Sequence, residues 1–371
     1  MMPAPGVLHI IDTLELGGAE RMAVELANAA HGRGWRAAVL TTRKGGPWKE
    51  AFSDGVVYEC LERRARFDLR ALPRLAKFEH RFRPSLIHVH GLPSALFVRA
   101  VRLFGLLRRP ALIHEHFGEV HMRQQPRWVG GLLIDTFERL VAVSEQNAKW
   151  AVGAGFPVTH VRCVPNALNC GRIRSQQPLT LDSFLRHDIM RPCGAVVGRL
   201  FPQKGILTLL DALAVLPREM SWSVIVIGGG EATPYGRACV ERVQQLGIQD
   251  RIFFVGQRVD VIPLVKACDF AVIPSLSESG PLVLIEYLAC ELPVVATAVG
   301  ENTAMAARAG AVRTVPPGQT EPLAEAIAAL IAMSPQERRA MGQRAWLATR
   351  ELFDMERVFP TWEALYQEML G

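Results

Sequence analysis

Short apolar runs rich in β-branched residues alternate with longer stretches of helical period along nearly the whole chain. The runs Val7–Ile11, Ala37–Thr41, Leu86–Val89, Ala111–His114, Leu140–Val143 and His160–Val164 read as strands. A second series follows at Gly194–Gly198, Ser223–Gly228, Ile252–Val255, Phe270–Pro274 and Val294–Thr297. Strands apolar at consecutive positions are buried on both faces, as in parallel sheets covered by helices. Each series is the size of one doubly wound domain, so the predicted class is α/β with two such domains. Residues 170–192 are polar and weakly periodic and read as a linker. The expected domains are therefore 1–169 and 193–353. The stretch 354–371 reads as a C-terminal helix that packs back toward the N-terminal domain, with Phe359, Trp362, Leu365, Tyr366 and Leu370 on one side. Two open α/β sheets that face each other leave a cleft at the carboxyl ends of their strands, where ligands bind.

Composition narrows the class. Hydrophobic residues are 49% and charged residues 21% of the 371, which excludes a disordered chain. The seven cysteines form no CxxC pair, and no His/Cys cluster has zinc spacing along the sequence. Buried thiols in a reducing cytoplasm are expected. The start of the sequence reads as a strand rather than a signal peptide, and no apolar run nears the length of a membrane span.

The net charge is +6, and the positive excess lies within residues 1–180. Arg66, Arg70, Arg74, Lys77 and Arg81 fall on one stripe if helical, and Arg99, Arg102, Arg108 and Arg109 punctuate the apolar stretch 95–110. Such a surface suits the anionic inner face of a cell membrane, or is a solvated cationic face. Little aromatic interleaving accompanies it, so nucleic acid is not an expected partner.

Candidate chemistry concentrates at turns after strands. Glu278 and Glu286 lie eight residues apart, the second within an otherwise apolar helix that Pro281 would open at its first position. A carboxylate there is costly unless satisfied, and two vicinal ribose hydroxyls would satisfy it; the alternative is that it reaches the surface. Arg199 and Lys204 flank a strand-to-helix turn that suits a diphosphate, or are surface cations on a solvated loop. Gly17 and Gly18 open a helix whose bare N–H groups could meet a phosphate or sugar. Gly228–Gly230 reads only as a turn. No GxGxxG follows the first strand, which disfavours a nicotinamide cofactor.

The ordered set GGAE (17–20), VAVSE (141–145), VPN (164–166), VGRL…KG (197–205) and E-x7-E (278–286) resembles the retaining GT-B glycosyltransferases of family 4 over nearly the whole chain. That resemblance implies two Rossmann-like domains, the first on the acceptor side and the second holding a nucleotide-sugar donor. It implies that Arg199 and Lys204 hold the diphosphate, that Glu286 takes the ribose hydroxyls and that Glu278 faces the sugar near C3. The amides of Gly280, Leu282 and Val283 would serve sugar and phosphate, and Gly17 and Gly18 would cap the diphosphate. His116, in the segment 111–120, takes the place of the family's active-site histidine, with His88, His90 and His114 nearby. The chain departs from the family at Asn166-Ala167-Leu168-Asn169 and at Ser279-Gly280-Pro281.

The implied reaction moves a sugar from a UDP-sugar first, a GDP-sugar second, to a hydroxyl of a surface polysaccharide or lipid-linked glycan, with the anomeric configuration kept. No cofactor is expected, and metal independence follows from the two cations. An epimerase-like enzyme and a non-catalytic nucleotide-sugar binder remain the alternatives.

Overall fold

The structure is a computed structural model, and it describes residues 4–65, 68–116, 131, 133–185 and 189–371. The chain divides into two compact units, Met1–Leu168 with Met355–Gly371, and Asn169–Asp354.

In the first unit the described strands form a seven-stranded parallel sheet: β1 (Gly6–Ile11), β2 (Arg36–Thr41), β3 (Val57–Cys60), β4 (Leu86–His90), β5 (Ala111–Glu115), β6 (Arg139–Ala142) and β7 (Val161–Cys163). Their order is β3-β2-β1-β4-β5-β6-β7. The helices between them are α1 (Gly18–Gly32), α2 (Ala71–Phe82), α3 (Gly91–Arg102) and α4 (Glu145–Gly153). Strands β1, β4 and β5 are buried at every position, the histidines among their apolar residues included.

The second unit begins with α5 (Cys170–Ser175) and α6 (Leu181–Leu185). Residues 170–192, expected as a linker, thus carry two short helices, and the Leu179 N–H donates to the Pro263 carbonyl at 3.1 Å. Helices of five and six residues are too short to show a helical period, which is why the stretch looked structureless. There follow β8 (Cys193–Val197), α7 (Ile206–Ala214), β9 (Ser223–Ile227), α8 (Pro234–Leu246), β10 (Ile252–Phe254), α9 (Val261–Lys266), β11 (Phe270–Ile273), α10 (Leu282–Ala289), β12 (Val294–Thr297), α11 (Asn302–Ala309), β13 (Val312–Val315), α12 (Thr320–Ala332) and α13 (Pro335–Phe353). The described strands make a six-stranded parallel sheet in the order β10-β9-β8-β11-β12-β13. The last helix, α14 (Met355–Leu370), belongs to the first unit. There Trp35 Nε1 donates to Glu363 at 3.0 Å, and the Tyr366 hydroxyl meets His88 Nδ1 at 2.7 Å.

Two strands were not foreseen, β3 and β13, and both are sheet edges. Edge strands are covered on fewer sides, so their residues are partly exposed and carry no apolar run to read. In each unit the strand order reverses between the first and fourth strands, at β1/β4 and β8/β11. Ligand sites of open α/β sheets lie outside the strand ends at such a reversal.

Candidate functional site

At the reversal of the second unit two turns meet. One leaves β8 and runs from Gly198 to Gly205; the other leaves β11 and runs from Pro274 to Pro281. Gly205 takes φ +62°, and a Cβ there would sit 2.1 Å from the Pro274 carbonyl oxygen. Only glycine lets the first turn approach the second so closely. The Leu276 N–H donates to the Gln203 carbonyl at 2.7 Å, which fixes their register.

Lys204 and Glu278 join across these turns. Lys204 Nζ donates to Glu278 Oε1 at 2.6 Å, and Ser275 Oγ donates to the same oxygen at 2.7 Å. The pair is partly buried, with side-chain exposures of 30% for Lys204 and 11% for Glu278, so solvent screens it only in part. Both bonds fall on Oε1. Two residues expected to grip different parts of a ligand are thus joined in one ion pair.

Arg199 behaves differently. It is exposed, its guanidinium lies 5.1 Å over the Phe201 ring, and its side chain has no carboxylate partner among the described residues. The ring restricts the cation without neutralising it.

Beyond the second turn, α10 begins at Leu282, with Pro281 as its N-cap residue. The sequence placed Pro281 inside the first turn; its ψ of 115° keeps it outside by one residue. The N–H groups of Leu282 and Val283 fall in the first turn, where no acceptor exists within the helix. Glu286 follows one turn on and is 8% exposed, so the expected burial of this carboxylate is present. The neighbouring Tyr287 is wholly buried, its hydroxyl accepts the Val197 N–H at 2.6 Å, and burial pushes its phenol pKa up.

The supports of these turns were the part that sequence reading missed. Gly228–Gly230 is more than a turn: a Cβ on Gly228 would lie 2.1 Å from the Gly198 carbonyl oxygen, and Leu200 N–H donates to Gly229 at 2.8 Å. It carries the loop that presents Arg199. After β12, Gly300 at φ +51° lies against the Glu278 carbonyl, and Glu301 N–H donates to Ser279 at 3.0 Å. Thr297 Oγ1 donates to the Ser275 carbonyl at 2.6 Å, and buried Asn302 Nδ2 donates to Thr297 at 3.0 Å. The glycines were visible as turn signals; what they press against was not.

Residues 16–172 match the family model described as Glycosyltransferase Family 4, and residues 186–346 match Glycosyl transferases group 1. The chain belongs to these family 4, group 1 glycosyltransferases. Over 184 residues it is 35% identical to D-inositol 3-phosphate glycosyltransferase of Mycobacterium marinum, which is 48% of this chain and 38% of that protein. The match thus spans well under half the length of that relative. The fold is that of GT-B glycosyltransferases. The structure of Anabaena Alr3699/HepE in complex with UDP and glucose aligns with a TM-score of 0.84 at 20% identity, covering 98% of this chain and all of that one. Sucrose-phosphate synthase from Thermosynechococcus elongatus aligns at 0.79, with 20% identity over 98% of this chain and 99% of that one.

In this glycosyltransferase-family chain the first unit contributes its own candidates. Gly17 is the extended N-cap of α1 and Gly18 its first residue; both are exposed, Gly17 has no side chain with which to cap the helix, and a Cβ on it would lie 2.3 Å from the Glu20 carboxylate. His116 directly follows β5, is half-buried, and its Nε2 meets His90 Nδ1 at 3.0 Å. Burial lowers its pKa to about 3, so it is a neutral imidazole at neutral pH. The rest of the expected histidine segment, 117–120, lies outside the described residues.

The basic surface is altered. Arg66 lies outside the described residues. Arg70 pairs with Asp68, Arg74 with Glu59 and Glu62, and Arg81 with Glu59, all at 3.0–3.2 Å. The stripe is therefore largely neutralised by acids of the β3 edge and the following loop. Arg102 donates to the carbonyls of Leu107, Thr136 and Arg109, and Arg99 to Thr136 Oγ1, so these two staple the end of α3. Among the described residues no helix is long and apolar enough to cross a membrane.

Proposed function

We propose that this chain transfers a sugar from a nucleotide-diphosphate donor to an acceptor hydroxyl, with retention at the anomeric carbon. The observation that carries it is the Lys204–Glu278 pair beside unpaired Arg199, at the strand reversal and before the α10 N-terminus. Arg199, Lys204 and the first-turn N–H groups of Leu282 and Val283 would hold the diphosphate. Glu286, buried one turn into α10, would accept ribose hydroxyls, and the Glu278 carboxylate with the Gly280 amide would orient the sugar. Gly17 and Gly18 would offer N–H groups to an anion, and His116 a neutral imidazole to a hydroxyl.

In the reaction the bond from the anomeric carbon to the β-phosphate oxygen breaks, and its electron pair goes to the phosphate. The acceptor oxygen bonds to the same face of that carbon, and its proton passes to the departing phosphate oxygen. Charge grows on the phosphate in the transition state, where fixed cations and N–H groups stabilise it most. The solved relative bound to UDP and glucose makes UDP-glucose the first donor to try. Inositol 3-phosphate, from the name of the mycobacterial relatives, is one acceptor to set beside lipid-linked glycans.

Thermal shift with UDP, GDP, ADP and NAD, followed by a donor panel with product analysis, tests this reading. Stabilisation by a nucleoside diphosphate and an α-linked product from an α-linked donor support it. Stabilisation by NAD alone, or release of an epimerised sugar, overturns it.

A second reading concerns location. Leu103 and Phe104 are 84% and 59% exposed at the end of α3, with exposed Arg108 and Arg109 close behind them in sequence. Apolar tips followed closely by cations that have no carboxylate partner among the described residues suit an anionic lipid surface, where the acceptor would be anchored. This loop, rather than the α2 stripe, is the proposed contact.

A further inference from the structure

Five histidines converge in the first unit, and the proposed transfer uses only one. They come from three adjacent strands: His9 on β1, His88 and His90 on β4, His114 on β5 and His116 just beyond it. The register sets His9 beside His88 and His90 beside His114. A period of two then puts all five rings on one face, while Leu8, Ile10, Ile87, Val89 and Ile113 fill the core on the other. The rings crowd together: His88 and His90 stack with centroids 4.4 Å apart at 7°, and His114 and His116 are 3.9 Å apart, tilted by 40°. Trp362 of α14 covers them, 4.7 Å from His114 and 5.0 Å from His88.

Hydrogen bonding leaves this face incompletely satisfied. His9 Nδ1 meets His90 Nε2 at 3.1 Å, and His90 Nδ1 meets His116 Nε2 at 3.0 Å. His114 is wholly buried, and neither of its ring nitrogens has a hydrogen-bond partner among the described residues. An orphaned buried imidazole is rare in a finished protein and calls for an occupant.

We propose that His90, His114 and His116 bind a late first-row divalent cation, Zn2+ in the first instance, through one imidazole nitrogen each. The three nitrogens lie within 4.8 Å of one another. His90 Nδ1 and His116 Nε2, at 3.0 Å, are already near the ~3.3 Å that two ligands at about 2.0–2.1 Å subtend in a tetrahedron. A cation there replaces the proton those two nitrogens share. His90 then keeps its Nε2–H on His9 Nδ1, the outer hydrogen bond that orients a metal-bound imidazole.

The donor set chooses the ion. Three neutral nitrogens, with no carboxylate among them, suit zinc and its neighbours and disfavour Mg2+ and Ca2+. Burial keeps these rings in the neutral, ligating form. The other triple, His9, His88 and His90, is less apt: His9 and His88 are wholly buried, and His88 is already held by Tyr366. Half-buried His116 gives the chosen site its entry. The site shares His116 with the proposed transfer, so a cation on its Nε2 would compete with a substrate hydroxyl for that nitrogen.

The test uses the full-length chain, stripped of metal and kept reduced, titrated with Co2+ and then Zn2+. One equivalent of Co2+ with visible d–d absorption, displaced by Zn2+, is expected. His114→Gln and His116→Gln should each weaken Zn2+ binding ~10-fold or more. Cys60→Ser and Cys163→Ser, at the two cysteines that are not buried, should leave it unchanged. Circular dichroism checks folding; should His114→Gln unfold, the more exposed His116→Gln decides alone. Failure to bind stoichiometric Co2+, a sulfur-to-cobalt charge-transfer band, or undiminished binding in a folded His116→Gln overturns the site. None of these readouts depends on sugar transfer.

Discussion

Lys204 Nζ and Glu278 Oε1 lie 2.6 Å apart, joining a turn that follows β8 to one that follows β11. The pair gives each side chain a fixed place before any ligand arrives, and fixed charge is what stabilises a transition state without reorganisation.

Lys204→Ala is expected to lower kcat with UDP-glucose, or whichever donor proves active, by ~10²–10³. Glu278→Gln keeps an acceptor for Lys204 but loses the charge, and should lower kcat with a smaller change in donor KM. Steady-state kinetics of both variants check this; equal KM increases at constant kcat would assign the pair to ground-state binding alone.

Glu286→Gln should weaken UDP binding by about tenfold or more, because a hydrogen bond to a charged group is worth roughly 1.5–3 kcal/mol. The side chain is 8% exposed on a helix buried nearly all round, so a neutral isostere should leave the fold intact. Calorimetry with UDP and with uracil separates a ribose contact from a base contact: only UDP binding should fall.

Gly205→Ala should destabilise the second unit. The new Cβ meets the Pro274 carbonyl at 2.1 Å in a backbone at φ +62° that L-residues resist. A fall in Tm of on the order of 2–4 °C or more is expected, with loss of nucleotide binding as the two turns part.

The metal-free chain should lose stability in acid through its histidines. Burial holds His9 at about 3 and pushes His88, His90 and His114 well below the usual imidazole value of 6.5. Between about 6.5 and 3 the unfolded chain therefore binds more protons than the folded one, so stability rises with pH in that window and is lost as pH falls through it. Each such imidazole is worth about 1.4 kcal/mol per pH unit there. Melting scans from pH 7.5 to 4.5 in chelator should show a steep fall below about 6.5, and His9→Leu should flatten it.

Leu103→Ser with Phe104→Ser should reduce sedimentation with liposomes rich in anionic lipid at physiological salt, and Arg74→Ala should not, since Arg74 is already paired with Glu59 and Glu62. Retention of the double variant at the full level would place any lipid contact elsewhere.

The expectation of two parallel sheets rested on runs such as Val7–Ile11 and Phe270–Pro274, because a strand buried on both faces is apolar at most of its positions. That same reason hid β3 and β13, whose edge positions let polar residues stand in the strand. The candidates Arg199, Lys204 and Glu278 were legible as charged residues in turns just past strand ends. Buried Glu286 announced itself as a charge in an apolar helix, a local contradiction that any reading of the chain can see.

What the sequence determined, then, was whatever one segment's own pattern encodes: buried strands, turns that demand glycine, a misplaced acid. Only the tertiary structure decided partners. It paired Lys204 with Glu278 across 74 residues and spent Arg74 and Arg81 on Glu59. It also gathered five imidazoles, from three strands and the residue after the last of them, onto one face, because lateral neighbours in a parallel sheet are far apart along the chain and their register is set by packing.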